Sequence, residues 1–354
     1  MEPFISKLST MQGAVENAAD SDRQVGRPLF SILVRTMGDR NELLKEALCS
    51  IFAQTETRYE ILVLFHSTNC GDNPDKVKAV VETFPSSFRS KVRILTVTRP
   101  GRSAPLNDGI EHANGRYLCI LDDDDLLYDH HLSCVAQAIE VHEGPCVFQT
   151  YSSRRTIKVL AQDARATYPY TVGRIETAYV SPFNLFEQVI ENFVPSCNFF
   201  FPVRFTREMG LRFSESLEVL EDWKFLMDLH RFLDIVTVPV VTTAIGYREN
   251  NTNIVRNPEF EGLWNATRAR VQSEIANDPR LLSTAEMSEL ASIVKERKET
   301  ERDIRVTFAR SQIGGGAIRG SYFVLRFLYH AIRRSLPHKT KVAMRRAARH
   351  LRRP

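Results

Sequence analysis

Compact apolar runs that alternate with amphipathic helical segments set the strongest limit on how this chain folds. Leu29–Arg35, Tyr59–Phe65, Val92–Val97 and Arg116–Leu121 are short and apolar enough to be buried strands. Between them, Leu43, Leu44, Ala47, Leu48, Ile51 and Phe52 recur at helical intervals, and Ala104–Ala113 also reads as a helix. Asp39 and Glu42 have the spacing of a capping box in front of the first helix. Buried strands joined by helices predict an α/β fold, a mostly parallel Rossmann-like sheet with helices on both faces. Ligands of such sheets bind outside the carboxyl ends of the strands.

Further along, Asp129–Val141 is expected to be a helix and Cys146–Tyr151 a strand. From there to Ser216 the pattern blurs into short apolar pieces and prolines, which predicts irregular strands and loops. Leu220–Phe232 is helical again, Ile235–Tyr247 offers one or two strands, and residues 258–303 read as charge-rich helices. The expected division is a polar leader over 1–27, an α/β domain over 28–250, a helical extension over 251–303 and a basic amphipathic tail over 304–354.

Charge is spread unevenly. The net charge is +4, but the 13 Lys and Arg after Asp303 are accompanied by no Asp or Glu. The first 303 residues carry a net −9. Arg319, Arg326 and Arg333 share one helical stripe, with Val324, Leu325, Phe327, Leu328, Ala331 and Ile332 on the opposite arc. That pattern predicts docking on an anionic membrane surface, the alternative being a helix packed on the domain. Nucleic acid is not expected as a partner, because no nucleic-acid module accompanies the charge. Six cysteines form no CxxC pair, the start lacks the pattern of a signal peptide, and no stretch is long and apolar enough to span a membrane. The expected setting is cytoplasmic, with peripheral attachment to the cytosolic face of a membrane through the tail.

The acidic run Asp122–Asp125 starts where the fourth strand stops. Four adjacent carboxylates repel strongly in a partly buried cleft, and a divalent cation relieves that conflict. Oxygen ligands favour Mn²⁺ or Mg²⁺, which would bridge the phosphates of a nucleotide. A second acidic pair, Glu221-Asp222, stands at the start of an apolar helical pattern.

Several ordered blocks resemble the family 2 glycosyltransferases, which have the GT-A fold. Gly115-Arg116-Tyr117-Leu118-Cys119-Ile120-Leu121-Asp122-Asp123-Asp124-Asp125 is similar to their Asp-x-Asp region. Gly101–Ile110 resembles their Gly-x-x-x-x-x-Asn-x-Gly segment, and Ser31–Thr36 with Leu43–Gln54 their first strand and helix. Leu220-Glu221-Asp222-Trp223 resembles their Glu-Asp-Trp motif, and Tyr247-Arg248 a Tyr-Arg pair near the domain end.

The resemblance implies an inverting transfer of a sugar from a nucleotide-diphosphate-sugar to an acceptor hydroxyl, in surface polysaccharide or glycolipid synthesis with a glycan or lipid-linked acceptor. It makes Asp122 and Asp124 the metal pair, with Asp124 in direct contact and Asp122 toward ribose or metal-bound water. Asp222 becomes the catalytic base and Glu221 its support. Arg35, Thr36, His66, Arg102, Asn107, Asp122, Asp123 and Arg248 become donor-binding residues. Where family members often carry an acidic pair after the second strand, this chain has Phe65-His66-Ser67, where either Phe65 stacks on a base and His66 hydrogen-bonds it or both pack the loop. The donor nucleotide therefore stays open. Two other readings are a nucleotidyltransferase, which would be expected to carry a glycine-rich loop where this chain has only Gly38, and a non-catalytic nucleotide-sugar-binding scaffold.

Overall fold

The computed structural model describes residues 26–67, 73–163, 166–249, 260–278, 282 and 284–313. The leader before residue 26 and the basic stripe from Arg319 onward lie outside the described residues. Two compact units make up the chain, residues 1–280 and 281–354.

The first unit is built on one nine-stranded sheet with the order β3-β2-β1-β4-β8-β6-β9-β5, and β7 pairs with β6 off this path. Its parallel half consists of β1 (Phe30–Thr36), β2 (Tyr59–His66), β3 (Val92–Val97) and β4 (Tyr117–Asp122). All four are where the apolar runs predict them, to within a residue. The reason is visible in the burial. Ile32, Val34, Ile61, Val63 and Phe65 belong to one core, whereas Leu33, Leu62 and Leu64 belong to the other. Strands covered on both faces need apolar residues at every position, not at alternate ones.

Helices α1 (Asn41–Phe52), α2 (Pro74–Glu82) and α3 (Ser86–Arg89) cover the first face. Helix α4 (Ser103–His112) packs Leu106 and Ile110 on the second, and α5 (His131–Val141) returns to the first with Leu132, Val135 and Ile139. The capping box is not formed. Arg40 occupies the N-cap of α1 and makes no side-chain cap bond, while Asp39 stays exposed. Asp39 and Arg40 are thereby left at the sheet's ligand-binding end.

The region expected to be irregular holds a long hairpin instead. β6 (Val147–Asp163) pairs antiparallel with β7 (Ala166–Thr177) and parallel with β9 (Ile235–Arg248). Between them lie α6 (Leu185–Ile190), β8 (Phe199–Pro202), α7 (Val203–Glu208) and α8 (Glu221–Leu229), and β9 is one continuous strand. β5 (Leu126–Leu127) pairs antiparallel with β9 next to the acidic run. The mostly parallel sheet with helices on both faces and added C-terminal helices is a GT-A architecture.

Helix α9 (Glu261–Asn277) ends the first unit, while α10 (Thr284–Ile313) belongs to the second. Among the described residues, no helix is long and apolar enough to cross a membrane.

Candidate active site

β1 and β4 run parallel in a register that sets Arg35 beside Asp122 at their carboxyl ends. The consequence is a two-pronged ion pair, in which Arg35 Nε donates to Asp122 Oδ1 at 2.8 Å and Nη2 to Oδ2 at 2.9 Å. The third arm of the same guanidinium, Nη1, reaches Glu221 Oε1 at 3.0 Å, and Arg102 Nε donates to that oxygen at 3.2 Å. Arg35 thus ties the first strand, the acidic run and the start of α8 into one assembly.

The turn after β4 folds back on this frame. Asp123 is fully buried and turned inward, accepting from Thr36 Oγ1 at 2.6 Å and pairing with Arg40 Nη2 at 2.7 Å. Asp124 faces the cavity, held more loosely by Arg40 at 3.3 Å and Arg248 at 3.5 Å. Asp125 accepts from the Gly246 amide at 2.8 Å. A Cβ at Gly246 would collide with the Asp124 carbonyl oxygen, so only glycine lets β9 close on the turn. β9 therefore fixes the backbone of the acidic run from the side opposite Arg35.

These residues line a cavity of about 530 Å³. Of the residues expected from sequence, Arg35, Thr36, His66, Arg102, Asp122, Asp124, Glu221, Asp222 and Arg248 are in its wall. Three expectations need correction. Asn107 is spent on structure: its amide bonds both ways with the Phe213 backbone and donates to Glu215, locking α4 to the segment before α8. Asp123 points into the protein. Phe65 is fully buried in the core against Val77 and Gly38, so it is not a surface on which a base can stack.

Sequence reasoning missed Asp39, Arg40, Tyr179, Asn192, Trp264 and Arg268 in the same wall. Only Asp39 and Arg40 had a signal, their place just after the first strand.

The adjacent carboxylates Glu221 and Asp222 have opposite environments. Leu220, just before them, holds a left-handed backbone (φ 62°) as the N-cap of α8, which turns both side chains toward the sheet end. Burial alone would raise the Glu221 pKa, but Arg102 and Arg35 outweigh it and hold it below the usual range. Among the described residues, no guanidinium is within ion-pair distance of Asp222; it accepts from the Trp223 amide at 2.8 Å and Asn192 Nδ2 at 3.3 Å. Burial, and then the Glu221 charge, push it up to about 6. A neighbouring pair whose pKa values are driven apart in this way divides into a permanent anion and a proton acceptor. The acidic run shows the same division. Arg35 overcomes burial to keep Asp122 low, while burial raises Asp124.

Among the described residues, no three His, Cys, Asp or Glu side chains are grouped as a metal cage. The donor set nonetheless suits Mg²⁺ or Mn²⁺, which are commonly held by one or two carboxylates together with substrate phosphates. Asp122 and Asp124 offer that pair on the cavity wall.

Residues 31–195 match the family model described as glycosyl transferase family 2. An uncharacterized glycosyltransferase of Methanocaldococcus jannaschii is 28% identical over 105 residues, 29% of this chain and 34% of that protein. Another from Rickettsia conorii is 23% identical over 216 residues, 61% of this chain and 33% of that protein. The chain thus spans about a third of the length of these curated relatives. Among solved structures, Staphylococcus aureus TarS 1–349 superposes with a TM-score of 0.48 and 16% identity, covering 72% of this chain and 67% of that one. The mannosyltransferase PcManGT of Pyrobaculum calidifontis, in complex with GDP-Man and Mn²⁺, gives 0.44 and 15%, covering 81% and 89%. Residues 31–195, just under half of the chain, thus carry the match to a family 2 glycosyltransferase domain, on a GT-A sheet.

Proposed function

We propose that the chain moves a sugar from a nucleoside-diphosphate sugar to an acceptor hydroxyl, with inversion at the anomeric carbon. The observation that carries this reading is the split pair Glu221/Asp222 in the wall of the same cavity as Asp122 and Asp124. The acceptor O–H gives its proton to Asp222 while its oxygen forms the new bond to the anomeric carbon. The bond from that carbon to the diphosphate breaks, and the leaving group takes the electron pair. Attack opposite the leaving group inverts the centre and needs one base only.

Burial and the charge of Glu221, itself paired with Arg35 and Arg102, keep the base raised, and the Trp223 amide and Asn192 orient it. Asp124, the more loosely paired carboxylate, and Asp122 would hold Mn²⁺ or Mg²⁺, which supplies charge stabilisation to the departing diphosphate. Arg102 and Arg248 line the wall nearby and add cationic charge there. His66, whose Nε2 lies 2.9 Å from the Arg99 carbonyl oxygen, is the residue of the cavity wall assigned to the nucleobase in this reading.

The experiment that tests this is release of nucleoside diphosphate from a panel of nucleotide-sugars, followed across pH. Because Asp222 must be ionised to accept a proton and titrates near 6, kcat/KM is expected to be flat above about pH 7. Below pH 6 it should fall about tenfold per unit. A profile unchanged down to pH 5 rules out Asp222 as the base.

A further inference from the structure

Helix α9 lies outside the residues that match the family, yet its first two turns form part of the cavity wall through Trp264 and Arg268. Trp264, Arg268, Val271 and Ile275 follow one another at steps of four, three and four, so they share one helical stripe. Val271 and Ile275 are buried, and this stripe is therefore the one turned to the domain. Arg270 bonds to Ser216 (2.7 Å to its hydroxyl) and Gln272 Nε2 donates to the Ile190 carbonyl at 2.7 Å, which fixes the helix in that orientation. The amino-terminal end of the stripe overhangs the cavity.

The other cavity arginines are already matched. Arg35, Arg40, Arg102 and Arg248 each pair with Asp122, Asp123, Asp124 or Glu221. Among the described residues, Arg268 has no carboxylate partner, and it is exposed at the cavity wall. An unmatched guanidinium is a ready fork for a carboxylate or phosphate. One turn away, the half-buried Trp264 offers an aromatic face, on which the apolar C–H face of a sugar ring lies well.

We infer that Trp264 and Arg268 form an acceptor subsite for a saccharide that carries an oxyanion, either a uronate carboxylate or a phosphate ester. This rests on the glycosyl-transfer reading for its place in a reaction, but its test reads binding without donor. The chain has two tryptophans, and both are in the cavity wall; Trp223 is buried with its Nε1 bonded to the Gln188 carbonyl, so the part of a ligand-induced fluorescence change that disappears in Trp264→Phe reports Trp264.

The full chain is titrated with trigalacturonate, phosphorylated maltotriose and plain maltotriose. At least one anionic probe is expected to bind about tenfold more tightly than maltotriose. Whichever binds identifies the oxyanion as carboxylate or phosphate. Arg268→Gln, at an exposed position with no ion pair to lose among the described residues, should erase that preference and leave maltotriose unchanged. Trp264→Phe should remove most of the fluorescence response, and calorimetry should show weaker binding of all the probes.

Equal affinity for charged and neutral probes, or no binding of any, overturns the subsite. So does an Arg268→Gln variant that keeps its preference, or one that loses about tenfold in nucleoside-diphosphate affinity, since the guanidinium then belongs to the donor. Failure of sugar transfer in the wild type, with the preference intact, counts against the transfer reading and not against the subsite.

Discussion

Asp222→Asn is expected to leave nucleotide affinity within about twofold of wild type while lowering turnover by roughly 10²–10⁴-fold. The change is nearly isosteric. The amide can still accept from the Trp223 N–H and lie beside Asn192, so α8 keeps its start. Only proton acceptance is removed. Steady-state release of nucleoside diphosphate at saturating donor measures it, with calorimetry on the same preparation for affinity. Glu221 cannot easily take over, because Arg35 and Arg102 hold it as an anion with a depressed pKa. Near-normal turnover would move the base to another group.

Arg35→Gln is expected to damage stability as much as activity. Its guanidinium serves Asp122 twice, Glu221 once and the Arg102 carbonyl once, with its own side chain only 11% exposed. Removing it leaves Asp122 without an ion-pair partner among the described residues, with only the more distant charges of Arg102 and Arg40, and leaves Glu221 with Arg102 alone. Breaking a buried pair by deleting one partner typically costs about 3–5 kcal/mol. In a domain of this size that corresponds to a fall in melting temperature of roughly 6–20 °C.

The sign of the pH dependence follows from Asp122. In the wild type its folded pKa lies below the ordinary value, so its contribution is present above the unfolded pKa and is lost as pH falls through the folded one. Without Arg35, burial dominates and the folded pKa lies above the ordinary value, so the variant is penalised at neutral pH and relieved by acid. The gap in melting temperature should therefore narrow between pH 7 and about pH 4. A gap of under about 2 °C at pH 7, or one that widens in acid, would contradict the role assigned to Arg35.

The parallel half of the sheet was legible because its strands are buried on both faces. An unbroken apolar run as short as Ile61–Phe65, flanked by polar residues, fits a buried strand and little else. The hairpin β6/β7 was not legible, because Ser152-Ser153-Arg154-Arg155-Thr156 shows no apolar alternation. The strand is held instead by backbone ladders to β7 and β9 and by polar contacts such as Tyr128–Ser153 and Arg155–Glu46.

For the site, motif order gave Asp122, Asp124, Glu221 and Asp222 but could not tell which way a side chain turns. Thr36 and Arg40 draw Asp123 inward. The Phe213–Glu215 segment consumes Asn107. Phe65 obeys the alternation of its strand and enters the core. Trp264 and Arg268 come from a helix well beyond α8 in the chain, and the packing of Val271 and Ile275 with the bonds of Arg270 and Gln272 brings them to the cavity. The Glu-Asp-Trp resemblance named Asp222 as the proposed base and Glu221 as its support, but the cause of their opposite electrostatics was invisible in one dimension, since Glu221 is paired with two arginines 119 and 186 residues away.

The most direct measurement of the central claim is calorimetric titration of the full chain with nucleoside diphosphates and their sugar conjugates, in Mn²⁺ and in EDTA. The account predicts saturable binding of at least one nucleotide that weakens by about tenfold or more when the ion is removed. Asp124→Asn should abolish that difference without unfolding the protein. Absence of nucleotide binding under either condition, or binding indifferent to both the ion and Asp124, would contradict it.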